Sequence, residues 1–191
     1  SSNLEVTDGT LTNAGTINVN AGTGGSRSVS ANLANNGTVN ISTDTSWSRV
    51  GGTYTNNSAF NIGSDTTLTI TSLSDQVFNQ DGGTLGGDGT FSMSSGTFNF
   101  NGGTITGTPI LDDVDLSIGA SATTAVTFEM QDSSTLSGDV ASGQTIVVNG
   151  GTLTSASGLT NSGTITLQTF SGTSSSNLEV TDGTLTNAGT I

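Results

Sequence analysis

The seven residues "LTNAGTI" at positions 11–17 decide the fold, because close variants of them recur along the chain. They return as "LANNGTV" at 33–39 and as "YTNNSAF" at 54–60, so the first three copies start at nearly even intervals. A fourth variant, "LTNSGTI", stands at 159–165. Periods of roughly 20 residues are typical of solenoids, in which each repeat forms one coil.

Corners and strands can be read between these motifs. The dipeptide Gly-Thr occurs fifteen times, usually just before an apolar residue. Glycine can adopt a positive φ at a tight corner, and the β-branched threonine favours extended backbone directly after it. Between the corners, apolar and polar residues alternate over three to five positions, as in "FNF" from Phe98. Alternation of this kind marks strands with one buried face, and no helical period is sustained.

We therefore predict an all-β fold, a parallel β-helix (β-solenoid) with right-handed winding and three short strands per coil. The motif spacing predicts roughly eight coils of about 22 residues in the repeating unit defined below. Irregular spacings place larger loops at 64–81 and 111–134.

A much longer repeat is also present. Residues 1–17 and 175–191 are identical, so the sequence starts again at Ser175. We interpret 1–174 as one complete solenoid unit and 175–191 as the first coil of the next identical unit. The chain then belongs to an array of near-identical units, unless the second copy is an engineered overlap. Neighbouring identical units are the expected partners, through end-to-end association.

The composition indicates a thin, elongated core. The chain has 36 Thr, 28 Ser, 28 Gly and 18 Asn, while hydrophobic residues make up 30%. A compact sphere is hard to build from so few apolar residues, but their regular spacing argues against disorder.

Charge and missing residue types exclude several functions. The net charge is −13, with two arginines and no lysine, so we expect no nucleic-acid partner and no membrane insertion. The chain has no cysteine and no histidine, which removes disulfides and the commonest general base. We predict that the protein is not an enzyme; paired carboxylates of a polysaccharide-active enzyme are the third alternative.

One asparagine recurs in the seven-residue motif. We expect these asparagines to share one register and to stack as an amide ladder, each side chain bonding to the next coil. Their backbone would tolerate a left-handed corner, and the role is structural. The ladder residues are Asn13, Asn35, Asn56, Asn161 and Asn187.

Acidic residues are the candidates for a metal site. Asp112, Asp113 and Asp115 in "LDDVDL" form the densest acidic cluster. Calcium takes six to eight oxygen ligands, and the glycine and aspartate nonapeptide of calcium-binding repeats does not recur here. We therefore expect no cofactor, with calcium at these aspartates as the alternative to solvated loop acids.

Two other surfaces could bind ligands. Thr-X-Thr pairs such as Thr10–Thr12 and Thr53–Thr55 are a feature of some ice-binding solenoids, but Asn32 interrupts this row and strand propensity already explains threonine. Trp47, Tyr54 and Phe78 are the aromatics considered for glycan stacking, although a core or loop-anchoring role is favoured.

The recurring L-T-N-x-G-T-I pattern with Gly-Thr corners resembles the repeats of bacterial β-helical surface proteins, namely filamentous-haemagglutinin-like adhesins and autotransporter passenger domains. The resemblance covers most of the chain and specifies a fold type; the long-period copy and the lack of lysine depart from it. It implies extracellular or cell-surface localisation, with glycans or cell surfaces as further partners. The leading prediction is a structural repeat segment of a long extracellular stalk, fibre or adhesin. The alternative is a ligand-binding solenoid for glycan, calcium or ice.

Overall fold

A computed structural model describes residues 1–71, 75–169 and 175–191. These residues form strands, turns and bends, and none of them belongs to a helix long and apolar enough to cross a membrane. The strands in chain order are β1 (Ser2–Asn13), β2 (Thr16–Val19), β3 (Arg27–Asn35), β4 (Thr38–Ile41), β5 (Thr45–Trp47), β6 (Thr53–Asn56), β7 (Ala59–Ile62), β8 (Thr67–Ile70), β9 (Val77–Gln80), β10 (Thr84–Gly87), β11 (Thr90–Phe100), β12 (Thr104–Ile105), β13 (Ile110–Ile118), β14 (Val126–Ser137), β15 (Gln144–Ser155), β16 (Leu159–Asn161), β17 (Thr164–Gln168), β18 (Ser176–Val180) and β19 (Leu185–Asn187).

The strands pair in parallel with partners about one motif spacing away. Leu33 lies beside Tyr54, the first residue of the next motif copy, and Val39 lies beside Phe60. The chain therefore winds as a β-solenoid of about eight turns. This confirms the all-β parallel solenoid predicted from the motif spacing.

Each turn has three faces, which we number in the order in which the chain reaches them. The first face is the ladder through Leu4, Val29 and Trp47. The second face is the ladder through Leu11, Leu33 and Tyr54. The third face is the ladder through Ile17, Val39 and Phe60. The long strands β1, β3, β11, β13, β14 and β15 bend from the first face onto the second.

Inward side chains of all three faces fill a narrow core. Trp47, Tyr54 and Phe78 are at most 1% exposed. The Trp47 ring lies 5.5 Å from Tyr54 and 5.3 Å from Phe60, centroid to centroid, and Phe78 stacks on Phe98 at 5.3 Å. Of the two roles favoured for these aromatics, core packing and loop anchoring, the structure shows core packing, and the buried rings are not accessible to glycans.

The loop predictions are only partly right. A loop at 111–134 is wrong, because β13 and β14 occupy most of this range. Single bends at Asp113 and Asp132, with φ of 54° and 48°, turn these strands from one face to the next. In 64–81, β8 and β9 leave a connection at 71–76, and its residues 72–74 lie outside those described.

The glycine and the asparagine of the seven-residue motif do not adopt the left-handed backbone predicted for this corner. Neither Gly37 nor Asn35 has a positive φ. A Cβ atom built on Gly37 would lie 2.2 Å from the Gly15 carbonyl oxygen of the turn below. Close stacking of successive turns, rather than a left-handed backbone, therefore excludes a side chain at this glycine.

Candidate functional site

A column of buried amides stands at the corner between the second and third faces. Asn13 Nδ2 donates to Asn35 Oδ1 at 2.8 Å, and Asn35 Nδ2 donates to Asn56 Oδ1 at 2.8 Å. Gln80 continues the column, because its Oε1 accepts from Asn56 Nδ2 at 2.9 Å. We call these four residues the amide column.

The backbone satisfies the remaining polar atoms of the column. Asn35 Nδ2 also donates to the Ala59 carbonyl at 3.0 Å, and the Gly37 N–H donates to Asn35 Oδ1 at 3.3 Å. Buried amides that are fully paired rigidify a core, whereas unpaired ones destabilise it. The bonds run between turns and within a turn, so the column stabilises one register of each turn on the next.

The other two motif asparagines lie on a different corner. Asn161 Nδ2 donates to Asn187 Oδ1 at 2.8 Å, at the end of β16 and β19. This corner leads from the third face to the first, since β17 on the first face follows directly. The five motif asparagines therefore lie in two columns rather than in one register.

Three carboxylates converge where β13 and β14 bend from the first face to the second. Asp112, Asp113 and Asp132 each bring one carboxylate oxygen to within 4.8 Å of the others. We call these residues the acidic cluster. Asp113 also bonds to the next turn, where the Ser133 N–H donates to Asp113 Oδ1 at 2.9 Å.

The electrostatics of the cluster centre on Asp112. Burial raises the pKa of this carboxyl, and the nearby charges of Asp132 and Asp113 raise it further. Its Oδ1 is buried and accepts no hydrogen bond from the described residues. Such a group of oxygens can hold a hard cation, although calcium would need further oxygens from backbone or water.

Asp115 lies apart from the cluster that the sequence predicted for it. Its exposed carboxylate accepts a 2.6 Å bond from Thr135 Oγ1 on the second face. Asp132 takes its place and was missed, because it belongs to the following turn of the chain. Aligning the chain turn by turn would have revealed it, since Asp112 pairs with the neighbouring Gln131.

The Thr-X-Thr pairs do not form one continuous row among the described residues. Thr10 and Thr53 are on the second face with Asn32 between them, and Asn32 Oδ1 accepts from the Thr53 N–H at 3.0 Å. Thr104 lies on the third face and Thr164 on the first.

The two ends of the described solenoid differ in whether a further strand segment is stacked on them. The second copy of the repeated segment lies on the last turn, with β18 beside β15 and β19 beside β16. None of the described turns lies on the open side of the first copy, where Leu4 is 40% exposed. The Arg49 guanidinium reaches over the second turn and donates to the Val6 and Thr7 carbonyls of the first.

No family model, curated protein or solved structure matches this chain. The resemblance to β-helical surface proteins therefore stays a prediction.

Proposed function

We propose that the chain is a structural repeat segment of a long extracellular stalk, fibre or adhesin that lengthens by stacking copies of the 1–174 unit. One observation carries the proposal: residues identical to the start of the unit lie on the end of the unit. Leu178 pairs with Leu153, and Leu185 pairs with Leu159, in parallel ladders. A following unit can therefore continue the solenoid without an interruption.

The energetics of the fold support this role. The strand ladders join each turn to the turns beside it, so stability accumulates turn by turn and length is not limited by the size of a core. Closing the last turn also covers strand edges that would otherwise pair with other chains. A net charge of −13 keeps such a polymer soluble.

The burial of the amide column and of the large aromatic side chains weighs against a glycan-binding role for these residues. The amide column is buried and its polar atoms are used within the fold. Trp47, Tyr54 and Phe78 offer no exposed ring for a glycan. Attachment to glycans or cell surfaces, which the resemblance implies, would then depend on parts of an array other than these side chains.

Length measurement tests the stalk proposal. Proteins containing one, two and four units would be imaged by electron microscopy, and we expect straight rods that lengthen by about 40 Å per unit at the usual strand spacing. A control protein carries a flexible Gly/Ser linker between two units and should bend there. We call the junction between two units the seam. Rods that bend equally at the natural seam, or particles whose length does not grow with unit number, would contradict the proposal.

A second candidate function is cation binding at the acidic cluster, favoured by the buried Asp112 Oδ1. Calcium titration by calorimetry would compare the parent chain with D112N/D113N/D132N. Asp88→Asn removes an exposed charge outside the cluster and serves as the control. Heat that is lost only in the triple variant supports the site; equal heats in all three proteins, or none, reject it.

A further inference from the structure

We propose that successive units are rotated by one third of a turn about the solenoid axis, which gives the array a three-fold screw. The open first turn of each unit is then covered by the last turn of the preceding unit, shifted by one face. The inference rests on the proposed function, because it describes how the units of that array meet.

The first segment of the repeat shows the shift. In the first copy, Leu4 pairs with Val29 on the first face. In the second copy the equivalent residue, Leu178, pairs with Leu153. Leu153 belongs to the part of β15 that has bent onto the second face, since its neighbour Thr152 pairs with Ser133 beyond the bend at Asp132.

The following segments shift by the same amount and in the same direction. Leu11 is on the second face, whereas its equivalent Leu185 pairs with Leu159 in β16 and continues the third-face path of the chain. Thr16 is on the third face, whereas its equivalent Thr190 bridges to Thr164 on the first. All three segments of the copy therefore move on by one face.

The ladder of the first face explains the shift. Eight pairing steps along this face lead from Leu4 to Leu167, through Val29, Trp47, Ile70, Met93, Leu111, Met130 and Val148. The equivalent of Leu4 in the next unit is Leu178, which comes later in the chain than Leu167. Leu167 lies on the first face, whereas Leu178 lies on the second face, where it pairs with Leu153. The unit is therefore eight and one third turns long.

Hydrogen bonds between side-chain amides at the junction of two units also fit the rotation. Rotated stacking places Asn161 against the next unit's equivalent of Asn13, which is Asn187 in this chain. Asn161 Nδ2 also donates to the Thr190 carbonyl at 2.9 Å, just as Asn13 Nδ2 donates to the Thr38 carbonyl at 3.0 Å.

The seam then extends the amide column. Asn161 of one unit precedes the whole amide column of the next. Like Asn161, the three asparagines of the column donate to an amide oxygen of the later turn. Stacking without rotation would instead set the motif on the second-face part of β15, 151–155, which has no asparagine or glutamine. Of these two arrangements, only the rotated seam joins amide to amide.

Rotation changes how the array presents its surface. An exposed feature such as the Asp113 bend recurs on all three sides of the fibre, once per unit, at axial intervals of about 40 Å. The fourth unit then faces the same way as the first. A partner approaching from any direction meets the same surface within three units.

Cysteine pairs in the full chain test the register of the seam, because the parent has no cysteine. We expect Thr152→Cys with Asn177→Cys to form a disulfide under mild oxidation, since Asn177 Nδ2 lies 3.5 Å from Thr152 Oγ1 on the second face. Asn3→Cys with Ser28→Cys is the positive control, on the first face of the first copy.

The alternative register has its own pair. Val147→Cys with Asn177→Cys would form only if the second copy lay on the first face beside β15, where the structure places Thr166 instead. Crosslinking of this pair, with none between positions 152 and 177, would overturn the rotation.

A protein of four units tests the array itself. Val50 is 69% exposed on the connection between β5 and β6, and a gold label on Val50→Cys would mark each unit once. We expect four labels that step by one third of a turn, with the first and fourth on the same side. A straight rod with every label on one side would refute the rotation alone, whereas failure to form a rod would refute the stalk proposal.

Discussion

Asn35 Nδ2 donates to Asn56 Oδ1 over 2.8 Å, although the two residues belong to different turns of the chain and both are fully buried. The bond joins successive turns inside the corner of the solenoid. A buried amide in this position stabilises only one register, because a slip along the strand would leave its donors and acceptors unpaired.

Replacement of Asn35 by alanine should destabilise the protein strongly. The change leaves Asn13 Nδ2 and Asn56 Oδ1 each without one bond in a buried site. We expect a loss of about 2–4 kcal/mol in the free energy of unfolding, measured by urea denaturation. Asn18→Ala removes a comparable bond, from Asn40, in an exposed column and should cost about 0.5 kcal/mol or less. Similar losses in the two variants would show that burial of the column is unimportant.

Two glycines at the same motif position should respond differently to alanine. Gly37→Ala brings a Cβ to 2.2 Å from the Gly15 carbonyl oxygen, and we expect a loss of about 1–3 kcal/mol in the free energy of unfolding. Gly15→Ala meets none of the described atoms within 4 Å in this chain, so it should be neutral or slightly stabilising. Thermal unfolding distinguishes them, and a tolerated Gly37→Ala would contradict the close stacking.

The acidic cluster should make stability depend on pH. The pKa of Asp112 is raised in the folded state, so the folded chain binds this proton more tightly than the unfolded chain does. Stability should therefore rise as pH falls from 7 toward the ordinary carboxyl range, and fall as pH rises through the raised pKa.

Asp112→Asn should remove this dependence. We expect the variant to be more stable than the parent at pH 7, by up to about 1 kcal/mol. Its free energy of unfolding should also change less between pH 4 and 7. Thermal unfolding across this range, with Asp88→Asn as the charge-matched control, makes the comparison. Parallel pH profiles for the parent and Asp112→Asn would be inconsistent with repulsion in the cluster.

Arg49 should hold the first turn in place. Arg49→Ala removes the charged donors to the Val6 and Thr7 carbonyls, and we expect faster hydrogen exchange in β1, equivalent to about 1–2 kcal/mol of local opening. Arg27→Ala is the control, because Arg27 donates to carbonyls of its own loop, including Gly25. Unchanged protection of β1 from hydrogen exchange in Arg49→Ala would show that these bonds do not hold the first turn in place.

The acidic cluster illustrates how far site prediction from sequence could reach. Asp112 and Asp113 are adjacent in sequence and lie together in the structure, but Asp115 is on the second face and Asp132 replaces it. A cluster that joins two turns depends on which residues stack, and the neighbours along one strand do not contain that information.

The sequence by itself determined the all-β solenoid, its inward and outward positions and its period, because strand alternation and motif spacing are local properties. It could not determine which corner a motif occupies, since the same seven residues, LTNAGTI, lie at one corner with Asn13 and at another with Asn187. That choice depends on the residues accumulated over about eight turns, bends such as those at Asp113 and Asp132 included. Only the tertiary structure decided which corner each motif occupies, because that depends on how successive turns stack. The turns stack closely, as the Gly37 and Gly15 backbones show.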